Sequence, residues 1–131
     1  MTQLVARFAV DGWDVRAVEG LTSGDEDDWV GIAQMHKTFT SGLVGTSTVL
    51  FVSSGVEGQR SYLAAERITA TVGGSGEQGE VTLHHGGLES AAGAAFGHVV
   101  PGTGTGPMAG WAGSATIEHD DEGAYFVFDL G

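Results

Sequence analysis

Four side chains carry most of the chemistry open to this chain: Lys37, its only lysine, together with Glu66, His85 and His98. Each sits in a stretch that alternates like a β-strand, in which successive side chains point to opposite faces. The alternation puts Lys37 with Ala33, Met35 and Phe39, and Glu66 with Tyr62, Ala64, Ile68 and Val72. It puts His85 with Val81 and Leu83, and His98 with Phe96 and Val100. All four are therefore expected to point inward. A one-residue slip would instead turn His36, Arg67, His84 and Gly97 to the inside.

A carboxyl in apolar surroundings holds its proton more tightly. Glu66 is thus a candidate general acid, or base toward a positioned substrate, with Lys37 and His85 as catalytic partners. The competing reading is a structural polar core in which Glu66 pairs with Lys37 or with hydroxyls, because an unpaired buried charge is costly. At about 3.3 Å of rise per residue, Lys37 and Glu66 differ by roughly 10 Å in axial height before strand tilt is considered. His85, His98 and Glu66 are ligand types that suit zinc or iron, but their spacing matches no local metal motif. No metal and no cofactor is expected.

The elements that position these residues read as eight strands, over residues 2–10, 30–40, 43–53, 59–72, 77–85, 91–100, 110–118 and 124–130. Short glycine-rich turns separate most of them, and residues 14–28 form the longest link. Residues 62–71 contain Ala64-Ala65-Glu66-Arg67, a good helix former, yet the β-branched run that follows and the lack of a cap favour a strand. Sequential strands with short links predict an all-β fold, an eight-stranded antiparallel up-and-down barrel, in one domain over residues 1–131. Alternate turns then collect at opposite ends. One end gathers Asp25 to Asp28, Glu57, Glu89 and Asp120 to Glu122; the other gathers Ser41-Gly42 and the glycine turns at 73–76 and 102–106.

The segment Pro101-Gly102-Thr103-Gly104-Thr105-Gly106-Pro107 can continue neither a helix nor a central strand and is expected to be a structured loop with positive φ at one or more glycines. It superficially fits a dinucleotide-binding pattern, but Pro107 and the strand beyond it deny the helix that pattern needs. Trp111, Phe126 and Phe128, with Tyr62, Phe96, Met35, Phe39 and His98, are the candidate ligand-contacting side chains. Flat apolar walls of this kind suit a polyene or polyketide. Trp13 and Trp29 add aromatic surface. The acidic run at 25–28 has oxygen ligands but no calcium-loop spacing.

The bulk properties exclude several classes. The 131 residues contain no cysteine and no asparagine, so disulfides, thiolate sites and N-glycosylation are ruled out. A net charge of -12 with five basic residues makes nucleic acid and anionic membranes poor partners. No run approaches the roughly 20 apolar residues of a membrane helix, and residues 1–4 lack the features of a signal peptide, so a cytoplasmic protein is expected.

The chain resembles a bacterial family catalogued as domain of unknown function 3224 (DUF3224). The resemblance is carried by Phe8-Ala9-Val10-Asp11-Gly12-Trp13-Asp14, Lys37-Thr38-Phe39-Thr40-Ser41-Gly42, Glu66-Arg67-Ile68-Thr69 and Leu83-His84-His85-Gly86-Gly87. It continues through Val99-Val100-Pro101-Gly102-Thr103-Gly104-Thr105-Gly106, where Thr103 stands in the place of a serine. The family is similar in fold to plant allene oxide cyclase, a calycin-like barrel that binds a fatty-acid epoxide in its lumen. That resemblance implies an apolar small molecule in the lumen, suggests a cofactor-independent cyclase or isomerase, and implies a homo-oligomer. The alternatives are a hydrophobic-ligand carrier or sensor, and a filled barrel acting through protein contacts.

Overall fold

The computed structural model describes residues 2–25, 27–74 and 76–131. Glu26 of the acidic run and Ser75 of the third glycine turn lie outside the described residues, and the side chain of Ala92 is not described. The strands are β1 (Thr2–Arg16), β2 (Val30–Ser41), β3 (Leu43–Ser54), β4 (Ser61–Val72), β5 (Gln78–Leu88), β6 (Ala91–Val99), β7 (Gly113–Asp120) and β8 (Gly123–Leu130). Each pairs antiparallel with the next, and β8 returns to pair with β1 from Thr2↔Leu130 to Arg7↔Tyr125, which closes the barrel. Closure removes the edge strands that an open sheet would expose. Among the described residues no helix is long and apolar enough to cross a membrane.

The half of the barrel nearer the glycine turns is packed solid. Phe39, Leu43, Ile68, Val81, Leu83, Val99, Met108, Phe126 and Phe128 are all buried in one cluster. Residues 100–112 seal that end. The chain leaves β6 at Val99, but Val100 N–H still donates to Thr82 O and Thr105 N–H to Glu80 O. The hydroxyls of Thr103 and Thr105 accept from the amides of Thr82 and Glu80. The Thr-Gly repeat therefore finishes the ladder that a short β6 leaves incomplete. A 3-10 turn at Gly106–Met108, entered through positive φ at Gly106, then lowers Met108 into the core as a plug.

Two local departures reset the face on which side chains lie. A bulge between Val10 and Gly12 adds one residue to β1 against β2, so the strand runs on to Arg16 instead of ending near residue 10. Leu4, Ala6 and Phe8 turn inward before the bulge; Val10, which the alternation of residues 2–10 puts on the same face, is left 49% exposed, and Trp13, itself 53% exposed, lies against Phe51 beyond it. An extra residue in one strand inverts alternation locally.

In β6 the inward face belongs to Gly97 and Val99, not to Phe96 and His98. Gly97 lies opposite His85, and a Cβ there would come within 2.8 Å of the His85 Cβ and collide with the Ala115 carbonyl oxygen. Only glycine lets β6 approach that closely. Phe96 folds instead over Gly86 on the outer surface, 48% exposed. Gly97→Ala is expected to cost about 1–3 kcal/mol or more through overpacking. Gly93→Ala, with open space around its Cβ, is the matched control. Urea denaturation of the two variants checks this, and equal stabilities would refute the assignment of Gly97 as a contact glycine.

Candidate functional site

Glu66 stands two alternate steps below Tyr62 on the inward face of β4, 1% exposed. Its carboxylate receives three donors. Lys37 Nζ reaches Oε1 at 2.8 Å, His85 Nε2 reaches the same oxygen at 2.8 Å, and Ser47 Oγ donates to Oε2 at 2.7 Å. The pairing registers explain the meeting of Lys37 and Glu66. Lys37 lies opposite Ser47 on β3, and Glu66 lies opposite Val49, one alternate step along the same strand. Strand stagger thus removes the height difference estimated from the strand ends.

The lysine has a second set of neighbours. Its ammonium sits 4.1 Å from the ring centroid of Phe8 and 5.0 Å from that of Phe126, where the ring faces attract a desolvated cation. Among the described residues no buried side-chain polar atom lacks a hydrogen bond. Each polar atom of the layer therefore has at least one partner within the protein.

Burial pushes the Glu66 carboxyl toward the neutral form, but the His85 hydrogen bond and the Lys37 charge outweigh burial and hold its pKa below the usual carboxylate value. At Lys37 the balance is reversed. Burial, only partly opposed by Glu66, lowers the ammonium pKa. The difference follows from the bonding: the carboxylate has three donors, whereas the lysine shares one oxygen with a histidine.

From Glu66 a hydrogen-bonded chain leads toward solvent. The second nitrogen of His85, Nδ1, lies 3.1 Å from the Tyr62 hydroxyl. A carboxylate can only accept, so His85 carries its proton on Nε2, and in the neutral ring Nδ1 accepts from Tyr62. Burial first, and the Glu66 charge second, push the phenol up to about 12, so Tyr62 stays protonated at neutral pH.

Tyr62 also forms part of the wall of an open cavity of about 940 Å³ at the acidic end. That volume falls within the roughly 300–1,000 Å³ usual for small-molecule pockets. Trp13, Phe51 and Tyr62 form a continuous aromatic side, with centroid separations of 5.1 and 5.3 Å, and Ser53, Arg60, Ile117 and His119 line the rest.

The residues expected from sequence divide into three groups. Lys37, Glu66 and His85 come together in the polar layer, and Tyr62 connects it to the cavity. Phe39, Phe126, Phe128 and Trp111 are packing: Phe126 stacks among Phe8, Phe39, Phe128 and His85, and Trp111 caps Phe128 at the sealed end. Met35 is half-buried on the Lys37 face and does not line the cavity. Phe96 and His98 are corrected outright, because both lie on the outer surface, where His98 pairs with His84 across β5 and β6. Sequence reasoning missed Ser47, Phe51, Ser53, Arg60 and His119 as contributors. Ser47 did leave a signal, a hydroxyl in phase with buried Leu43 and Val49.

Fold and interior together define an eight-stranded antiparallel barrel, sealed at one end and open at the other, with an ion-paired layer between them. The chain belongs to the DUF3224 family: the family model described as "Protein of unknown function (DUF3224)" matches residues 4–130. No curated protein matches it. Among solved structures it is similar to a protein of unknown function from the DUF3224 family of Shewanella oneidensis MR-1. The two share 24% sequence identity with a TM-score of 0.72, over 100% of this chain and 98% of that one. That likeness is one of fold.

Proposed function

We propose that the open end of the barrel binds a small apolar molecule and that Tyr62 exchanges a proton with it, giving a cofactor-independent isomerisation. The observation that carries this reading is the chain Tyr62–His85–Glu66, which starts on a cavity wall and ends on a sealed carboxylate. Because the Tyr62 hydroxyl donates to His85, its oxygen lone pairs are what a ligand meets. A proton leaving the ligand would go to the Tyr62 oxygen as the phenolic proton passes to His85 Nδ1. The imidazolium so formed is held by the Glu66 carboxylate. Return of the proton to a different ligand atom completes the isomerisation with no net gain or loss.

A carrier reading rests on a different observation, that every buried polar atom around Glu66 has a partner within the protein itself. Two variants separate the readings. Gly87→Leu would place a side chain against Tyr62, since a Cβ at Gly87 lies 3.5 Å from the Tyr62 ring. It is expected to abolish retention of the apolar molecule in native mass spectrometry of protein purified from its own host. Tyr62→Phe is expected to keep the molecule, cost about 0.5–1.5 kcal/mol for the lost hydrogen bond, and trap the substrate form. If the wild type and Tyr62→Phe retain the same isomer, the carrier reading stands. If the wild type retains nothing, the pocket reading falls.

A further inference from the structure

We infer that the ligand of this cavity is a carboxylate with a flat apolar body, anchored by Arg60; the inference rests on the pocket reading above and specifies its ligand class. Arg60 precedes Tyr62 by two residues and lines the same cavity. Its guanidinium donates to Gly55 O at 2.7 Å and to Ser53 Oγ at 2.9 Å, both neutral acceptors. A guanidinium has five N–H donors, so these two bonds position the group without exhausting it.

The contrast with the other basic residues is informative. Arg7 pairs with Asp120 and Glu122, Arg67 with Glu80, and Lys37 with Glu66. Of the five basic residues, Arg16 and Arg60 make no ion pair among the described residues, in a chain with 17 acidic residues; Arg16 is exposed and donates to Gln34, whereas Arg60 is half-buried on the cavity wall. It is held against a cavity wall by uncharged groups, and its charge is left for something that enters.

The phase of the strands sharpens the choice. His119 shares the β7 face of buried Ala115 and core-packed Ile117, so it belongs to the inner surface; Glu118 belongs to the opposite face. The groups that alternation turns inward at this end are therefore Ser53, Arg60, Tyr62 and His119, with one carboxylate, Glu89, in phase with Gly87 and opposite Arg60 but joined to it by no ion pair. A planar guanidinium fork matches a carboxylate in two parallel hydrogen bonds. A single such fork, with Glu89 and Glu118 at the rim, suits a monoanion better than a phosphate dianion. Arg60 and Tyr62 are about 7 Å apart along the strand. A carboxylate on Arg60 would thus lay the ligand body along Trp13 and Phe51 with its next atoms over the Tyr62 hydroxyl.

The test uses the full chain and three probes of one shape: 4-biphenylcarboxylate, neutral 4-biphenylmethanol and 4-biphenylmethylammonium. Affinity is read by titration calorimetry, and location by the shift of the Trp13 indole signal in NMR. The carboxylate is expected to bind about tenfold more tightly than the alcohol, as a charge-assisted bidentate contact allows, with the ammonium weakest. Arg60→Met should erase that preference while leaving alcohol binding intact, which also shows that the variant is folded. Equal binding of carboxylate and alcohol to the wild type, or a preference for the ammonium, overturns the inference and leaves the pocket reading standing. If no probe binds or moves Trp13, both fall.

Discussion

Lys37→Met is expected to destabilise the protein by about 3–5 kcal/mol, the usual result of leaving one member of a buried ion pair alone. The carboxylate of Glu66 would keep His85 and Ser47 but lose the lysine charge that opposes its burial. The size of the effect comes from the stranded charge, not from the attraction itself. Removing both charges in Lys37→Met/Glu66→Gln is therefore expected to recover at least half of the loss. A double-mutant cycle from urea unfolding isolates the coupling. Additive losses in the cycle would mean that the two groups do not sense each other.

The same pair makes a pH prediction with a definite sign. The folded pKa of Glu66 lies below its unfolded value. Its contribution to stability is therefore complete above the ordinary carboxylate pKa of about 4.3 and is lost as pH falls through the depressed folded value. Wild-type stability should rise with pH across that acid window. In Lys37→Met burial is no longer opposed by the lysine charge and its hydrogen bond, so the Glu66 pKa climbs and the rise flattens. Urea titrations at several pH values read both slopes, and identical profiles would refute the assignment.

Phe126→Ala is expected to cost a further-reaching 3–5 kcal/mol or about that, the range for truncating a buried aromatic. Phe126 is fully buried and touches Phe8, Phe39, Phe128 and His85 at centroid distances between 5.3 and 6.2 Å. Its ring is also one of the two beneath the Lys37 ammonium. Truncation should therefore loosen the polar layer as well as the core, seen as broadened His85 ring signals in NMR. Phe96→Ala is the instructive partner. An exposed position away from such packing moves stability by about 0.5 kcal/mol or less. Comparable losses in the two variants would contradict the outward placement of Phe96.

That comparison shows where the sequence was legible and where it was not. Strands with strong alternation disclosed their inner faces: Met35, Lys37 and Phe39 on β2, and Ala64, Glu66 and Ile68 on β4, lie as the pattern indicates. In Ala91–Val99 most residues are alanine or glycine, so the phase was read from Phe96, the largest side chain, and that side chain points outward. What decided the phase was the need for glycine opposite His85, a property of two strands together. The eight-strand order was legible because nearly every link is short, and the end of β1 was not, because the bulge near Asp11 breaks the alternation that marks a strand. Arg60 and His119 were missed for a related reason. They lie just before β4 and near the end of β7, where a shift of two residues decides whether a side chain belongs to a turn or to a wall.

The Met108 plug also has a kinetic side. A tube stopped at one end is a well, and whatever goes down a well comes back over the same rim. On the proposed pocket reading, incoming and outgoing molecules would compete for a single passage lined by Trp13, Arg60 and His119, with no through-flow to clear the bottom. Such a vessel accommodates a conversion whose product keeps the girth of the starting compound. It is ill suited to joining two large pieces, because the joined piece would have to leave through an opening that admitted each of them separately.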